Sequence, residues 1–362
     1  MQSLDNPLRG VGINAGAIAE GDVACDPRDA LRLIRRCPAY APTPLRDMPE
    51  LAEALGVGAM RLKDERARMG LGSFKALGAA YVIARDAAEA AGSESVSCAI
   101  MSTALHDRVY VCASAGNHGL SVAAGARAFG ARAVVYLADS VPEAFADRLR
   151  AFDATVIRAG AAYADAMAAA EEDAAAGGRV LLSDSSWPGY TALPRAVMEG
   201  YLVMGAETAD ALDEAPTHIL LQGGVGGFAA AMTAFFRARW GDGPTIVVVE
   251  PEAAPCLQES VRAGAPVTVS GPDLIMGRLD CKAPSHLALG ELARRADFFV
   301  TVDDEQVGDT VDLLARHGIV TTPSGAAGVA GLQHAGECRA ALGFSGTSRV
   351  LAFITEGPEE LS

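Results

Sequence analysis

The sequence predicts an α/β protein with two domains, each built on an open, twisted parallel sheet with flanking helices. Short apolar runs typical of buried strands alternate with longer periodic runs typical of helices over residues 109–354. The irregular stretch 183–194 interrupts this alternation, and we interpret it as a crossing between two α/β halves. The chain has 362 residues, 50% of them hydrophobic, so it is long enough to bury a large core.

The composition excludes several classes of partner. A net charge of −15 argues against nucleic acid or an anionic membrane surface as a partner. The seven cysteines include no CxxC pair and no Cys/His cluster at zinc spacing, which predicts reduced thiols and no metal site. The first residues lack the pattern of a signal peptide, and no apolar run is long enough to span a membrane. We therefore expect a cytoplasmic protein.

The predicted elements before residue 109 are short. Residues 1–29 contain glycines and show weak periodicity, so we expect a surface arm with little structure of its own. The proline-rich stretch 41–45 predicts a rigid extended turn, because each proline fixes its own φ and restricts the preceding residue. The other elements predicted here are short helices at 29–36 and 51–55, a strand at 59–63 and a helix that begins at Lys75.

Strands and helices then alternate in two series. In the first series, strands are predicted at 109–113, 133–137, 155–158 and 180–182, and helices at 120–129, 141–151 and 161–176. In the second, strands are predicted at 218–221, 245–249, 298–302 and 350–354, and helices at 195–208, 229–240, 304–317 and 326–342. Because consecutive parallel strands need crossover helices, this order predicts parallel sheets with right-handed connections.

Lys75 lies in a run of small and apolar residues, and no acidic residue occurs within 70–79. Burial of an unpaired ammonium is unfavourable, so this side chain either reaches solvent with its head or is used chemically. A desolvated lysine has a lowered pKa, which suits a nucleophile or base in Schiff-base chemistry. The local sequence alone leaves both interpretations open.

Four turns lie just past the carboxyl ends of predicted strands or at helix starts, where open α/β sheets bind ligands. The glycine-rich turn 222–227 opens a helix, and its N–H groups would suit a phosphate. The turn 114–119 offers a hydroxyl, an amide side chain and N–H groups, which favour an anion such as a carboxylate. The turns 321–326 and 353–357 carry hydroxyls, for which helix capping is an equally simple explanation.

Together, these segments resemble the fold type II family of pyridoxal 5′-phosphate (PLP) enzymes. That family includes tryptophan synthase β, cysteine synthases, serine/threonine dehydratases and diaminopropionate ammonia-lyase. The motifs that carry the resemblance are Thr43-Pro44-Leu45, Ser73-Phe74-Lys75-Ala76-Leu77-Gly78-Ala79, Ser114-Ala115-Gly116-Asn117-His118-Gly119 and Gly223-Gly224-Val225-Gly226-Gly227. Segments similar to diaminopropionate ammonia-lyase in particular are Trp187-Pro188-Gly189-Tyr190, the helix Val197-Met198-Glu199-Gly200-Tyr201, Gly277-Arg278-Leu279-Asp280-Cys281 and Thr355-Glu356-Gly357.

The resemblance implies how the chain would hold its cofactor. A large PLP-binding domain would comprise residues 1–78 and 193–362, and a smaller mobile domain, 79–192, would close over the substrate. Lys75 would form a Schiff base with PLP, with Phe74 beside it. The other implied cofactor contacts are Asn117 to the 3-hydroxyl, Thr355 to the pyridine nitrogen, and Gly223, Gly224, Val225, Gly226 and Gly227 to the phosphate.

The resemblance also implies the chemistry. The substrate carboxylate would be held by Ser114, Ala115, Gly116 and His118. Asp184 matches an acidic residue that the lyase places against a β-amino group, which makes Lys75 and Asp184 the predicted catalytic residues. The implied reaction is β-elimination from a small L-amino acid such as 2,3-diaminopropionate, giving a 2-oxo acid and ammonia, in a homodimer.

Two departures from the family pattern keep alternatives open. Ala115 stands where the lyase carries an acid that acts on the D-isomer, and Thr322 stands where dehydratases carry an acid before Pro323. A dehydratase of serine, threonine or 3-hydroxyaspartate, or a β-replacement synthase, is therefore an alternative with related chemistry. A non-catalytic amino-acid-binding protein on the same fold, or a phosphate-sugar- or nucleotide-binding protein, is an alternative of another class.

Overall fold

A computed structural model describes residues 1–14, 16–92 and 98–358 and contains two β-sheets. The strands are β1 (Ser3–Asp5), β2 (Leu45–Asp47), β3 (Ala59–Asp64), β4 (Val109–Ala113), β5 (Arg132–Leu137), β6 (Thr155–Arg158), β7 (Arg179–Leu181), β8 (His218–Gln222), β9 (Thr245–Pro251), β10 (Phe298–Val302) and β11 (Arg349–Ile354). The larger sheet has seven strands in the order β1-β10-β9-β8-β11-β3-β2, and the smaller has four in the order β6-β5-β4-β7.

Helices connect most of these strands. The α-helices are α1 (Arg28–Ile34), α2 (Pro49–Ala54), α3 (Lys75–Ala90), α4 (Cys98–Met101), α5 (Asn117–Ala128), α6 (Glu143–Arg150), α7 (Tyr163–Ala175), α8 (Ala192–Asp210), α9 (Gly227–Trp240), α10 (Cys256–Ala263), α11 (His286–Arg295), α12 (Asp304–Arg316) and α13 (Pro323–Gln333). Two 3₁₀-helices span Glu65–Gly70 and Gly336–Arg339. Within the described ranges, no helix is long and apolar enough to cross a membrane.

The predicted parallel α/β architecture is confirmed. All pairings in the smaller sheet are parallel, as are those that join β10, β9, β8, β11 and β3 in the larger sheet. The two edge strands of the larger sheet, β1 and β2, pair antiparallel. The four strands of the smaller sheet all lie within the segment 79–192, whose boundaries and mobility as a domain stay a prediction.

The larger sheet is buried on both faces. Ile219 and Leu221 of β8 belong to one apolar cluster with residues of α8 and α9, whereas Leu220 between them belongs to a second cluster with residues of α13. This alternation follows from the two-residue period of a strand, because successive side chains point to opposite faces. The carboxyl ends of the central strands therefore lie between two helical layers, and the candidate site forms there.

The N-terminal arm is more ordered than predicted. Residues Ser3–Asp5 pair with β10, and the amide of Asn6, which is 4% exposed, donates to the carbonyls of Leu292, Ala293 and Ala296. The prediction of an arm with little structure was wrong because β1 forms against a strand almost 300 positions away. Elements that no sequence pattern predicted are β2, α4, α10 and α11.

The helices α3 and α8 approach closely at two glycines. A Cβ atom on Gly200 would lie 2.5 Å from the carbonyl oxygen of Leu77, and one on Gly78 would lie 2.6 Å from a ring carbon of Tyr201. Real Cβ atoms do not come this close to other heavy atoms, so the crossing needs glycine at both positions. Because Lys75 is the first residue of α3, this contact also places its side chain against α8.

Candidate active site

Lys75 forms an ion pair with Asp184, which lies in the irregular stretch after β7. Its Nζ donates to the Asp184 carboxylate, and the two side chains are only 22% and 21% exposed. Burial alone would lower the pKa of Lys75, but the Asp184 carboxylate raises it above its ordinary value. Burial alone would likewise raise the pKa of Asp184, and Lys75 holds it below its ordinary range. The local sequence left the state of Lys75 open, and the fold supplies its carboxylate partner from 109 positions away.

An aromatic wall stands beside this ion pair. Lys75 Nζ lies 5.4 Å from the ring centroid of Phe74 and 5.8 Å from that of Tyr201, and the two rings meet edge to face at 4.9 Å. The ring of Phe228 also packs against Phe74, with the ring centroids 5.1 Å apart. Burial raises the pKa of Tyr201 to about 12, so its phenol stays neutral. We had assigned no role to Tyr201, although it ends the segment Val197-Met198-Glu199-Gly200-Tyr201, which resembles diaminopropionate ammonia-lyase.

The turn 114–119 follows β4 and leads into α5, which begins at Asn117 rather than at residue 120 as predicted. Ser114 Oγ accepts the N–H groups of Gly116 and Gly119 at 3.3 and 3.1 Å, so this hydroxyl braces the turn. A Cβ atom on Gly119 would lie 2.7 Å from the Ser114 carbonyl oxygen, so this tight turn needs glycine at position 119. The N–H groups of Asn117 and His118 in the first turn of α5 have no intrahelical partner and suit an anion, and contact of this turn with a substrate carboxylate stays a prediction.

His118 and Ala115, two of the predicted substrate contacts, present no charged side chain to the site. His118 is buried, and its Nε2 donates to the carbonyl of Leu182 at 2.8 Å, which identifies the Nε2–H tautomer. Burial lowers the pKa of His118, so the ring is neutral. The predicted contact of His118 with a substrate therefore rests on its backbone N–H in the first turn of α5 and stays a prediction. Ala115 packs partly buried against the main apolar core.

A buried carboxylate joins two of the predicted turns. Glu356 is 5% exposed and accepts hydrogen bonds from Asn117 Nδ2 and Thr322 Oγ1. Burial raises its pKa. The sequence shows no acid beside Pro323, but the fold brings Glu356 to Thr322 from 34 positions away. In the sequence, the resemblance of Thr355-Glu356-Gly357 to diaminopropionate ammonia-lyase marked this segment as part of the site, but it indicated no hydrogen-bond partner for Glu356.

The glycine turn 223–227 follows β8 and opens α9 as predicted, and its shape fits a phosphate. A Cβ atom on Gly224 would lie 2.9 Å from Cys281 Sγ, and Gly226 has a left-handed φ of 97°. A Cβ atom on Gly223 would lie 2.8 Å from Leu257. Protein atoms thus fill the Cβ positions of Gly223 and Gly224, so the turn needs glycine for its own packing. It lies at the N-terminus of a 14-residue helix, where N–H groups favour an anion.

The segment 278–281, which periodicity left unexplained, packs against both of the turns 114–119 and 223–227. The Cδ and Nε atoms of Arg278 lie 3.1 and 3.3 Å from the place of a Cβ on Gly116, and Arg278 N donates to Ser324 Oγ. Cys281 lies against Gly224, and burial raises its pKa to about 12, as expected for an unreactive thiol.

The predicted site residues thus come together from distant parts of the chain. The carbonyl of Thr355 accepts the N–H of Phe74 at 3.2 Å, which ties the end of β11 to the Lys75 segment. A Cβ on Gly227 would lie 3.7 Å from the Asp184 carbonyl oxygen, which ties the glycine turn to the partner of Lys75. A lysine amine, a glycine cradle for a phosphate and a neutral hydroxyl at the end of a central strand form a set that fits PLP.

Comparisons with known proteins agree with this fit. Residues 37–356 match the family model described as pyridoxal-phosphate dependent enzyme. Diaminopropionate ammonia-lyase from Salmonella typhimurium is 32% identical over 91% of this chain and 88% of its own.

Two crystal structures of diaminopropionate ammonia lyase from Escherichia coli align with 99% of this chain and 94% of theirs. The complex with D-serine is 26% identical with a TM-score of 0.89, and the complex with an aminoacrylate-PLP azomethine reaction intermediate is 25% identical with a TM-score of 0.86. The predicted fold type II scaffold, PLP cofactor and lyase class are confirmed. The chain belongs to the family of pyridoxal-phosphate-dependent enzymes.

Proposed function

We propose that this enzyme is an ammonia-lyase that removes the β-amino group of L-2,3-diaminopropionate and releases a 2-oxo acid and ammonia. The observation that carries the proposal is the shielded ion pair between Lys75 and Asp184. It places the amine that would hold PLP beside a carboxylate suited to a cationic β-substituent. The similarity to diaminopropionate ammonia-lyases over most of the chain supports the same substrate.

The cofactor contacts follow the arrangement of the site. Lys75 would hold PLP through its amine, Asn117 would contact the 3-hydroxyl, and Thr355 would face the pyridine nitrogen. The turn 223–227 would hold the phosphate. When bound, PLP supplies an electron sink that makes the Cα proton of a linked amino acid removable. The rings of Phe74 and Tyr201 would exclude water from this centre.

The ion pair accounts for both proton transfers that the reaction needs. In the free site, Asp184 raises the pKa of Lys75, and the amine is therefore protonated. A substrate with a β-ammonium group would bring a second cation to Asp184 and compete with Lys75 for the carboxylate. Because Lys75 would give up its proton when its amine binds PLP, it would be a neutral amine once the substrate amine has replaced it there, and it would then act as the base at Cα. Asp184 would meanwhile keep the β-nitrogen protonated, which is the form that leaves readily.

The charge of Asp184 also ranks the candidate substrates. A β-ammonium group is attracted to this carboxylate, a β-hydroxyl is neutral towards it, and the β-carboxylate of 3-hydroxyaspartate is repelled. L-2,3-diaminopropionate is therefore preferred, and L-serine is the second candidate. Ala115 provides no carboxylate in the turn that would bind the substrate, so Lys75 is the base we assign and the L-isomer is favoured.

Absorbance spectra of the PLP-loaded protein, alone and with L-2,3-diaminopropionate, L-serine or L-threonine, test the proposal. We expect a visible band that L-2,3-diaminopropionate shifts and that is missing in Lys75→Ala. In the near-isosteric Asp184→Asn, turnover of L-2,3-diaminopropionate should fall by about 10²–10⁴, the range for a lost acid–base group, and that of L-serine by much less. Equal losses for both substrates, or a wild-type preference for L-serine, would favour a dehydratase. Absence of a band after PLP is added would contradict the proposed role of Lys75.

We further propose that the enzyme works in the cytoplasm as a homodimer whose residues 79–192 move as a unit over the substrate. The odd number of cysteines is typical of a reducing compartment, and enzymes of the resembled family are usually dimers. The mass of the purified protein in solution tests the dimer. Hydrogen exchange with and without substrate tests the motion, since closure would protect amides on both sides of the site.

A further inference from the structure

The side chain of Gln222, the last residue of β8, lies among four oxygen atoms. Its Nε2 is 3.1 Å from the carbonyl oxygen of Phe353 and 3.2 and 3.4 Å from those of Gly325 and Ser324. The fourth oxygen is Thr355 Oγ1, at 3.1 Å. Gln222 is 2% exposed and Thr355 is 4% exposed, so bulk water does not compete for these contacts.

Three of these oxygens determine which way the amide points. A carbonyl oxygen can only accept hydrogen bonds, and only the NH₂ end of a glutamine side chain can donate. A flipped amide would direct its own oxygen at three carbonyl oxygens, which would leave all of them facing an acceptor in a buried site. The NH₂ group of Gln222 therefore faces Thr355.

The surrounding backbone holds the amide in this place. The strands β8 and β11 pair at His218 and Ile219, and their paired register does not extend to Phe353. Gln222 instead bridges from β8 to the Phe353 carbonyl with its side chain. On the other side, Gln222 Oε1 would lie 2.8 Å from a Cβ on Gly328 of α13, so the amide is packed closely against that helix.

This orientation decides the direction of the proton on Thr355. Because Thr355 Oγ1 receives an N–H from Gln222, its own proton is free to be donated elsewhere. If the amide pointed the other way, Thr355 would donate to Gln222 and offer only a lone pair to a ligand. We propose that Gln222 is a positioning residue that turns the Thr355 proton towards the pyridine nitrogen of PLP and keeps that nitrogen unprotonated. The inference rests on the placement of Thr355 in the proposed function.

An unprotonated pyridine nitrogen withdraws electrons weakly. Negative charge at Cα is then stabilised for a short time only, which favours rapid loss of a β-substituent over reprotonation at Cα or transfer of the amino group. Gln222 would thereby act on the choice of reaction without contact to the substrate.

The test is a double-mutant cycle on the PLP-loaded enzyme with Gln222→Leu, Thr355→Val and the double variant. The readouts are the ¹⁵N resonance of the ring nitrogen in ¹⁵N-labelled PLP and the PLP dissociation constant. In Gln222→Leu, Thr355 should turn to the vacated Phe353 carbonyl, the ring nitrogen should become protonated, and PLP affinity should fall by roughly three- to tenfold. The double variant should be no worse than Thr355→Val alone. The control is Gln333→Leu. Gln333 is the last residue of α13, whereas Gln222 contacts the first turn of this helix, so the control should change neither readout.

The outcomes distinguish a failure of the proposed role of Gln222 from a failure of the proposed placement of Thr355. Additive losses in the double variant, or an unchanged ring-nitrogen resonance in Gln222→Leu with a changed one in Thr355→Val, would overturn the role of Gln222 and leave the proposed function intact. An unchanged resonance in Thr355→Val would overturn both, because Thr355 would then not face the ring nitrogen. Gln222→Met, which removes the donor with an unbranched side chain of similar length, repeats the test if the leucine variant folds poorly.

Discussion

Replacement of Gly200 by alanine tests the close crossing that places Lys75. The new Cβ would lie 2.5 Å from the Leu77 carbonyl oxygen and 3.0 Å from both the Gly78 Cα and the Tyr81 Cβ. Two of these neighbours are backbone atoms of α3, so relief requires the helices to separate. Overpacking of this kind costs about 1–3 kcal/mol, and the rigid neighbours place it at the upper end. Alanine regains about 1 kcal/mol of helix propensity, so Gly200→Ala should lose about 2 kcal/mol in total.

The matched control is Gly308→Ala in α12. Gly308 also lies inside a helix, but no atom comes within 4 Å of its Cβ position, so only the propensity gain applies. We expect Gly308→Ala to raise the free energy of unfolding in urea by about 1 kcal/mol. The difference between the variants measures the steric cost of the crossing. Separation of α3 from α8 would also move Lys75, so Gly200→Ala should weaken PLP binding as well. If both variants stabilise the protein equally, the helices are not in the contact described.

Two further predictions concern buried carboxylates. Glu207 accepts hydrogen bonds from Lys63 Nζ and from Arg68, both almost fully buried, so Glu207→Ala would leave two cations without this partner. We expect a loss of about 3–5 kcal/mol in urea unfolding, and a loss under 1 kcal/mol would contradict the structure. Burial raises the pKa of Glu250 to about 8, above its value in the unfolded chain, so the folded protein holds this proton longer. Stability from this group is present at low pH and is lost as the pH rises towards 8, so the free energy of unfolding of wild type should fall relative to that of Glu250→Gln over that range. A difference independent of pH would refute the shift.

The sequence alone predicted most elements and the family. The strands at 109–113, 155–158 and 298–302 were predicted at the bounds observed, and Lys75 was correctly expected to begin a helix. These features depend on neighbours a few positions away, because strand and helix periods arise from local geometry. The glycine turn 223–227 was equally readable, since its conformation and its place before a helix are local properties.

Only the tertiary structure decided which groups meet. The pairing of Lys75 with Asp184, of Asn117 and Thr322 with Glu356, and of Gln222 with Thr355 joins residues between 34 and 239 positions apart. Each pairing sets a charge or a proton direction in the site, and the first raises the pKa of Lys75, which burial alone would lower. No local pattern encodes such contacts, because they arise where the carboxyl ends of separate strands converge after the whole sheet has formed. The sequence thus determined the fold and the chemical groups available, and the packing of the two sheets and their helices determined the protonation of those groups.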